Sequence, residues 1–344
     1  MLRDCLRYLS GRTDLHVTAL VHKRELCDFP GIDYIEIPWS AESWLKRLKC
    51  EYITMNRISR RFPEKTHLWL SLHDTTPSVK AMHQAVYCQT SFPFMKPTFR
   101  DLMMDPKIVL FSLFTRDAYK WNVRRNRYLI VQQEWMRRGL SRMLKFPAGK
   151  IIVAPPAFSL PAIEPVQAKR PTFLYVGTPD CHKNFETLFK AARILENRIG
   201  KNDFRVVVTI SGSENRYAQW LYRNWCDLAS IDFRGYLTRE KLTKAYGEAS
   251  CLVFPSRAET WGLPISEFLP AGKPMILADL PYAHNTAAGA AKAAFFPVRN
   301  AEKLADLMQE VIKGSTDSFG QVARPDIRPP YAADWNELFD LLLK

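Results

Sequence analysis

Two carboxylates flank a short turn-rich stretch in the second half of the sequence. Glu259 and Glu267 lie eight positions apart, with a glycine and a proline between them. The apolar run at 249–256 predicts a buried strand before Glu259, and the helical spacing of 265–272, closed by Gly-Lys-Pro, predicts a helix around Glu267. The sequence therefore places Glu259 in a tight loop and Glu267 in the first turns of the following helix.

The helix predicted to begin near Leu263 could hold an anion between these two carboxylates. Unpaired N–H groups at a helix N-terminus bind phosphates readily. Amides on the phosphates, one acid on the ribose and one acid on the sugar are what a nucleotide-sugar site needs. A simpler interpretation stays open, because Glu259 could cap a loop and Glu267 could lie on a solvated helix face.

A glycine and a lysine follow the first strand of the second half. Gly177 ends the predicted strand at 172–176, and Lys183 stands at the start of the next helix. Glycine lets the backbone approach a ligand closely, and the lysine adds a positive charge beside the helix N-terminus. The spacing of a Walker loop is absent. This loop therefore predicts a phosphate contact, with a simple turn and a surface lysine as the alternative.

Two further strand ends could face a ligand. Ser211 ends the strand at 204–210, although an ordinary turn with Ser213 as helix cap explains this segment equally well. Gly235 and Tyr236 follow the short strand at 231–233, where an aromatic ring and a small residue could hold a base.

One histidine of the first half has a comparable position. His73 follows the strand at 67–72 and precedes Asp74. A histidine that projects from a strand end is a candidate for a catalytic or sugar-contacting group, although a lone histidine is more often structural.

The elements that must position these residues alternate between apolar strands and helices. Such alternation predicts an α/β fold with mostly parallel strands. In the first half, strands are predicted at 15–21, 34–37, 67–72, 84–88, 107–111, 128–131 and 151–153, and helices at 1–10, 42–60 and 133–144. In the second half, strands are predicted at 172–176, 204–210, 231–233, 251–254 and 275–278, and helices at 185–199, 214–229, 239–249, 265–271, 301–313 and 333–344.

Length and a proline-rich stretch indicate two domains. A chain of 344 residues is long for a single domain, and the non-periodic, proline-rich segment near its middle is typical of a linker. The predicted boundaries are 1–157 for the first domain, 158–170 for the linker, 171–325 for the second domain and 326–344 for a C-terminal helix, which could pack back on the first domain.

Positive charge is concentrated in the first half. Residues 1–160 hold 26 Lys and Arg against 14 Asp and Glu, whereas residues 161–344 hold 23 against 21. A basic region of this kind suits an anionic membrane surface, an anionic substrate or nucleic acid. Its basic stretches match no known nucleic-acid-binding module, so we expect no nucleic-acid partner.

Cysteines and hydropathy limit the location of the chain. The 7 cysteines show no CxxC pair, which argues against a disulfide framework or a zinc site and predicts mostly buried thiols. No apolar run approaches the roughly 18 to 20 residues of a membrane helix, and the N-terminus lacks the layout of a signal peptide. We therefore expect a cytoplasmic protein, either free or peripheral at the inner face of the membrane.

Together, these segments resemble the family 4 (group 1) retaining glycosyltransferases of the GT-B fold. The resemblance is strongest from 173 to 298 and rests on the order of the segments, since the Glu-x7-Glu spacing alone is weak. The similar segments are the two glutamates around Trp-Gly-Leu-Pro, Phe-Arg-Gly-Tyr-Leu at 233–237, and the stretches at 272–276, 279–284, 128–138 and 152–156.

The resemblance implies a fold and a set of donor contacts. The fold would be two Rossmann-like, doubly wound domains facing a central cleft, with the first strand of the N-terminal, acceptor-side domain missing before Met1. Lys183 would bind the donor diphosphate, and Glu267 the ribose hydroxyls. The amides of Gly262 and Leu263 would contact the phosphates.

The resemblance also implies the groups nearest the reaction. Glu259 would contact the transferred sugar and His73 would lie beside it, so both are predicted as catalytic residues. The remaining donor-binding residues that we predict are Gly177, Ser211, Gly235, Tyr236 and Pro264.

The chemistry implied by the family needs no metal or other cofactor. The helix dipole and the lysine charge would stabilise the leaving diphosphate in place of a cation, and no Asp-x-Asp sequence ends a strand. Anomeric configuration would be retained, with the leaving phosphate helping to deprotonate the acceptor. The sequence departs from the family at Thr178, where an arginine is frequent, and at Asn285, where an acidic residue often stands.

Three hypotheses follow. The leading one is a hexosyltransferase that moves a sugar from a nucleotide donor to a glycan or a lipid-linked glycan during surface polysaccharide synthesis. The second is a catalytically weak or inactive GT-B module that binds sugar nucleotides or scaffolds a glycan assembly complex. The third, nucleic-acid binding, rests on charge alone.

Overall fold

The computed structural model describes residues 1–62, 66–157, 160, 162–164, 166 and 168–344. It separates into two compact units. The first comprises Met1–Thr90, Phe114–Phe158 and Ile327–Lys344, and the second comprises Ser91–Leu113 and Ser159–Asp326. Within the predicted linker, residues 158, 159, 161, 165 and 167 lie outside the described residues.

The strands of the described residues form parallel sheets. They are β1 Val17–Val21, β2 Ile32–Glu36, β3 Leu68–Ser71, β4 His83–Cys88, β5 Tyr128–Val131, β6 Ile151–Val153, β7 Thr172–Tyr175, β8 Arg205–Val208, β9 Ile231–Phe233, β10 Cys251–Phe254, β11 Met275–Ala278 and β12 Ala293–Phe296. In the first unit, β1 pairs with β2, and β3, β4, β5 and β6 form a four-stranded sheet in that order.

The helices fall between these strands, as the α/β prediction requires. They are α1 Leu2–Ser10, α2 Trp44–Lys49, α3 Met55–Ser59, α4 Phe99–Met104, α5 Pro106–Lys120, α6 Glu134–Leu144, α7 Phe185–Ile199, α8 Arg216–Trp225, α9 Arg239–Glu248, α10 Leu263–Phe268, α11 Pro281–Thr286, α12 Ala301–Ile312 and α13 Trp335–Leu343. A π-helical turn, Cys50–Thr54, joins α2 to α3, so the helix predicted at 42–60 is nearly continuous.

The sheet of the second unit is doubly wound. Its strand order is β12-β11-β10-β7-β8-β9, and its neighbouring strands run parallel. The chain builds outward from β7 to β9 on one side and from β10 to β12 on the other. The order therefore reverses between β7 and β10, and such a switch point is where open α/β sheets bind ligands, at the carboxyl ends of the strands.

The strands of the second unit formed where the sequence has continuous apolar runs. Four consecutive buried residues make up each of β7, β10 and β11, which is typical of parallel strands covered on both faces. The strand β12, with four residues, and the helix α11, with six, were not predicted, because neither segment is long enough to show a clear period.

The C-terminal segment completes the first unit. Trp335, Leu338, Phe339 and Leu342 of α13 join a cluster of buried side chains from α1, β1 and β4. The backbone N–H of Val153 at the end of β6 donates to the Pro330 carbonyl at 3.1 Å. Residues 327–344 are thus attached to the first unit by packing and by main-chain hydrogen bonds.

One predicted strand is wrong, and the segment around it belongs to the second unit. Residues 107–111 lie in the helix α5, not in a strand. Four apolar residues in a row, at 108–111, cannot distinguish a strand from a helix, and the buried positions Val109, Ser112, Thr115 and Tyr119 show helical spacing. Residues 91–113, which we predicted in the first domain, are grouped with the second unit.

The structure agrees with the prediction that most cysteines are buried thiols. All seven cysteines are free thiols, and six of them are buried, whereas Cys226 is exposed.

Among the described residues, no helix has the length and apolar character needed to cross a membrane.

Candidate donor-binding site

The switch point of the second unit brings Lys183 and Glu259 together. Lys183 ends a 3-10 turn, Cys181–Lys183, in the loop after β7, and Glu259 lies in the loop after β10. Because β7 and β10 are neighbouring parallel strands, their carboxyl-terminal loops meet at one edge. Lys183 Nζ lies 2.6 Å from Glu259 Oε1, and the two side chains are only 16% and 14% exposed.

Main-chain contacts fix the lysine in this position. The Tyr175 hydroxyl donates to the Lys183 carbonyl oxygen at 2.6 Å. Asn184 has a left-handed backbone with φ of 60°, and its Nδ2 donates to the carbonyl oxygens of Pro255 and Val298 at 2.9 and 2.8 Å. The loop after β7 is therefore attached directly to the loop after β10.

A second ion pair, absent from the predicted site, supports the same two loops. The guanidinium of Arg257 contacts both carboxylate oxygens of Asp101, with Nη1 3.0 Å from Oδ2, and Nη2 also donates to the Cys181 carbonyl at 3.0 Å. The Arg257 N–H donates to the His182 carbonyl at 2.7 Å. Asp101 belongs to α4, so the 91–113 segment of the second unit is attached to the loop after β7 and the loop after β10.

His182 is buried between these charges. Burial, together with the adjacent Lys183 ammonium, lowers the pKa of His182 to about 4. Its Nδ1 is buried without a hydrogen-bond partner among the described residues. The imidazole is therefore neutral near pH 7, and the positive charge of this loop comes from Lys183.

The turn before α10 requires glycine at 262. Gly262 has φ of 86°, a conformation that side chains disfavour. A Cβ there would lie 3.3 Å from Ile265 Cδ1 and 3.4 Å from Phe254 Cε1. Leu263 is exposed and Pro264 half-buried at the start of α10. Because α10 begins in the loop after β10, the backbone N–H of Leu263 lies at the carboxyl edge of the sheet.

Glu267 is held by a tyrosine from another helix. The hydroxyl of Tyr246 in α9 donates to Glu267 Oε2 at 2.8 Å. Burial and the Glu267 charge raise the pKa of Tyr246, so the hydroxyl stays protonated and continues to donate. The sequence offered no sign of this partner, because 21 positions separate the two residues.

The outer strand ends bring Ser211 and Gly235 together. Gly235 has φ of 70°, and a Cβ on it would lie 3.4 Å from Ser211 Cβ. Tyr236 beside it is 88% exposed. Gly177 is tied to the end of β8, because its N–H donates to Thr209 Oγ1 at 3.0 Å. The predicted residues after β7, β8 and β9 therefore share one edge of the sheet.

The backbone amides at the end of β8 already have an anionic partner. The N–H groups of Ser211 and Gly212 donate to Glu214 at 2.5 and 3.0 Å. The same carboxylate thus accepts from two consecutive amides.

His73 lies in the first unit, in the loop after β3. Its Nε2 lies 3.4 Å from Glu51 Oε1, and Arg47 donates to the His73 carbonyl at 2.8 Å. Glu51 also accepts from Arg47 Nε at 2.9 Å and from the Thr75 hydroxyl at 2.6 Å. Burial lowers the pKa of His73, although the Glu51 charge opposes that shift.

Asp74 stabilises the turn that follows His73. Its φ of 72° is unusual for a residue other than glycine. Its Oδ1 accepts hydrogen bonds from the N–H of Gln89 at 2.5 Å, from the N–H of Thr90 at 3.1 Å and from the Tyr119 hydroxyl at 2.8 Å. Asp74 therefore fixes the backbone of the turn that follows His73.

Comparison with known proteins supports the interpretation of the second unit. Residues 159–324 match the family model described as glycosyl transferases group 1. The O-antigen chain mannosyltransferase B of Escherichia coli is 25% identical over 164 residues, which cover 44% of this chain and 43% of that protein. The O-antigen chain mannosyltransferase RfbU of Salmonella typhimurium is 21% identical over 182 residues, which cover 52% of this chain and 50% of that protein. The chain thus spans half or less of the length of these curated relatives.

A solved structure supports the fold over most of the chain. WaaG, a glycosyltransferase involved in lipopolysaccharide biosynthesis, superimposes with a TM-score of 0.64 at 14% sequence identity, over 90% of this chain and 86% of that one. At 14% identity the similarity supports a common fold and nothing further. It confirms the predicted α/β architecture of the GT-B type, and the family match confirms the resemblance to group 1 glycosyltransferases.

Proposed function

We propose that this chain, which belongs through residues 159–324 to the group 1 glycosyl transferases, transfers a sugar from a nucleotide donor to a glycan or a lipid-linked glycan. The observation that carries the proposal is the Lys183–Glu259 pair at the switch point of the doubly wound sheet. A cation for the diphosphate and a carboxylate for the sugar lie in contact there, among fixed main-chain groups. The names of the relatives favour a role in surface polysaccharide synthesis.

The donor would replace the ion pair with its own contacts. Lys183 would turn from Glu259 to the diphosphate, where its charge stabilises the leaving group, because charge that develops in a transition state is best met by fixed opposite charge. Glu259 would then be free to accept hydrogen bonds from the sugar hydroxyls. Gly262 and Leu263 would offer their amides to the phosphates, and Glu267, fixed by Tyr246, would accept from the ribose.

The proposed reaction retains the anomeric configuration and requires no metal. The bond between the anomeric carbon and the diphosphate oxygen breaks, the acceptor oxygen forms a bond to the same face, and the acceptor proton passes to the leaving phosphate. His73 would contact the sugar as a neutral imidazole, consistent with the lowered pKa that burial gives it. Full turnover in excess EDTA would support the metal-free part, and loss of turnover that Mg²⁺ restores would exclude it.

The deciding experiment is a donor panel with three readouts on the full chain. Thermal shift reports which nucleotide sugar binds, since a ligand of the native state raises stability. Release of nucleoside diphosphate and the anomeric configuration of the product report turnover and stereochemistry. We expect one donor class to pass all three, and Glu259→Gln to lower turnover by about 10² or more while the fold stays intact.

A matched control separates the role of Glu259 from a general effect of charge removal. Glu240 is an exposed glutamate in the first turn of α9, and Glu240→Gln should leave turnover unchanged. Tight donor binding without diphosphate release, with every acceptor offered, would show that the chain is a sugar-nucleotide-binding module and not an enzyme. Unchanged turnover in Glu259→Gln would show that Glu259 takes no part in the reaction.

A further inference from the structure

A buried carboxylate lies beside His73 in the first unit. Glu51 belongs to the π-helical turn Cys50–Thr54, and its side chain is only 2% exposed. Removing a carboxylate from water costs free energy that an apolar residue at this position would avoid. π-helical turns are rare and frequently occur at functional sites. The burial of Glu51 therefore requires an explanation in terms of the groups that the carboxylate contacts.

Three side chains of the first unit surround the Glu51 carboxylate. Oε1 accepts from Arg47 Nε at 2.9 Å, and Oε2 accepts from the Thr75 hydroxyl at 2.6 Å. Oε1 also lies 3.4 Å from His73 Nε2, an atom that is buried and forms no hydrogen bond within the described part of the chain. Contacts of this kind often tighten when a substrate binds, so Glu51 is placed to accept from this ring nitrogen.

The same helical segment also holds the backbone of His73. Arg47 Nη2 donates to the His73 carbonyl oxygen at 2.8 Å, and the N–H of Thr75 donates to that oxygen at 2.9 Å. The N–H of Ser78 donates to the Glu51 carbonyl oxygen at 3.3 Å. The backbone of His73 is therefore fixed beside Glu51, and the ring directs its buried Nε2 towards the carboxylate.

A carboxylate beside Nε2 favours the imidazole tautomer that carries its proton there. A carboxylate only accepts hydrogen bonds, so an N–H at Nε2 is attracted to Glu51, whereas a lone pair at Nε2 would face negative charge. Burial lowers the pKa of His73; Arg47 and His22 lower it further, while Glu51 and Asp74 oppose the shift. The ring is therefore neutral near pH 7, and with the proton on Nε2 its Nδ1 carries a lone pair.

We infer that Glu51 is a positioning residue, which keeps the proton of His73 on Nε2 and leaves Nδ1 to accept a hydrogen bond from a hydroxyl of the transferred sugar. The inference rests on the proposed function, in which His73 contacts that sugar. It adds a requirement on the substrate, because the donor sugar must carry a hydroxyl where it meets His73. A deoxy analogue at that position would leave Nδ1 unpaired, and sites that bond a substrate hydroxyl discriminate strongly against analogues that lack it.

Nitrogen NMR of the full chain, labelled at its seven histidines, tests the tautomer without any donor. The spectra are recorded at about pH 7.5, above the ordinary histidine pKa, and the signals lost in His73→Gln identify His73. We expect the wild type to carry its ring proton on Nε2, with slow exchange because the proton is buried. Glu51→Met removes the acceptor and should lose this protected signal, whereas Glu51→Gln should keep it, because an amide oxygen still accepts. The control is Glu42→Met, which breaks an exposed pair with Lys46 and should leave the signal unchanged.

Turnover tests whether this orientation matters for the reaction. With the nucleotide sugar selected by thermal shift, Glu51→Met should lower kcat by about tenfold or more, because a histidine in the wrong tautomer cannot make its contact. Glu51→Gln should restore kcat to within about threefold of the wild type. Among deoxy analogues of that donor sugar, one should lower wild-type kcat by about tenfold or more and cause no further loss in Glu51→Met. Arg47 is 42% exposed, so water can solvate its charge when Glu51 is replaced.

Several outcomes would overturn the inference. They are a wild-type ring without a proton on Nε2, a Glu51→Met variant that keeps the ring signal, and a Glu51→Gln variant as slow as Glu51→Met. The wild-type tautomer and Glu51→Gln decide the matter even where Glu51→Met is unstable. Absence of turnover in the wild type would overturn the proposed function and the role of Glu51 in it together. The NMR result, which needs no donor, distinguishes that failure from a wrong orientation of His73.

Discussion

The polar side chains at the strand ends of the two units differ in how their charges are compensated. In the second unit the charged groups are paired with one another, as Lys183 is with Glu259 and Arg257 with Asp101. In the first unit, His73 and Asp74 are half-buried, and loss of solvent around them shifts both pKa values towards the neutral forms. The donor-side edge of the second unit therefore holds opposite charges in contact. In the first unit the Arg47–Glu51 pair lies beside two groups, His73 and Asp74, whose charged forms burial disfavours.

Under the proposed function, this difference would correspond to a division of tasks. A site that must hold a diphosphate benefits from cations fixed before the ligand arrives, because little reorganisation is then needed. A site that contacts sugar hydroxyls benefits from neutral donors and acceptors. Substitution of the paired groups of the second unit, and of the histidine in each unit, measures what these differences contribute to stability and turnover.

The largest expected effect is on stability, at the buried ion pair of the second unit. Arg257→Ala leaves the Asp101 carboxylate buried without its partner, and breaking a buried pair from one side costs about 3–5 kcal/mol. Urea unfolding of the wild type and the variant measures this loss in the free energy of unfolding. The control is Arg193→Ala, whose pair with Asp227 is exposed on both sides and should matter by about 0–1 kcal/mol. Equal losses in both variants would show that the buried pair has no special role.

Lys183→Met should have the next largest effect, this time on turnover. Removing a group that stabilises developing charge typically lowers kcat by about 10²–10³-fold. The control is Lys190→Met, an exposed lysine of α7, which should retain wild-type kcat. Because Lys183→Met leaves Glu259 unpaired, the double variant with Glu259→Gln should recover stability but not turnover. Recovery of both would reduce the pair to a structural role.

The buried His182 and the half-buried His73 should both make stability depend on pH. His182 has a pKa lowered from 6.5 to about 4, and the pKa of His73 is also lowered, by burial first in both cases. Between pH 6.5 and 4 the unfolded chain takes up a proton at His182 that the folded unit does not, so stability falls as pH falls through this window. At 1.36 kcal/mol per pKa unit the fall contributed by His182 approaches about 3 kcal/mol.

The measurement is urea unfolding at several pH values for the wild type, His182→Gln and His73→Gln. The stability advantage of the wild type over each variant should shrink as the pH falls below 6.5. For His182 the decrease should continue to about pH 4. A difference that stays constant over the whole range would contradict the burial of that histidine.

Most strands of both units could be predicted from the sequence, because buried parallel strands are continuous apolar runs and each run is bounded by turn residues. The segment at 107–111 was predicted wrongly for the same reason, since a run of apolar residues on α5 imitates a buried strand. In the folded chain Val109 is buried while Leu110 and Phe111 are exposed, and this helical distribution cannot be read from so short a run.

The candidate site was predictable as a set of residues and not as a set of contacts. Lys183 and Glu259 stand out through their positions at strand ends, yet their ion pair depends on β7 and β10 being neighbours, which is a property of the whole sheet. Asp101 and Arg257 are 156 positions apart, and no local pattern relates them. Glu51 was overlooked because it lies inside a helix, at the π-helical turn.

The smallest expected effect concerns Glu267, a carboxylate of the second unit whose partner is a neutral hydroxyl. Tyr246→Phe removes the hydroxyl that donates to Glu267 Oε2 and leaves the ring in place. A single hydrogen bond is worth about 1 kcal/mol net, so donor affinity should weaken by about fivefold while kcat stays close to that of the wild type. A double-mutant cycle with Glu267→Gln, read by calorimetry, isolates the interaction between the two side chains. If Tyr246 acts by orienting Glu267, its substitution should have almost no further effect once Glu267 is gone; additive losses would mean that the tyrosine acts on the donor by another route.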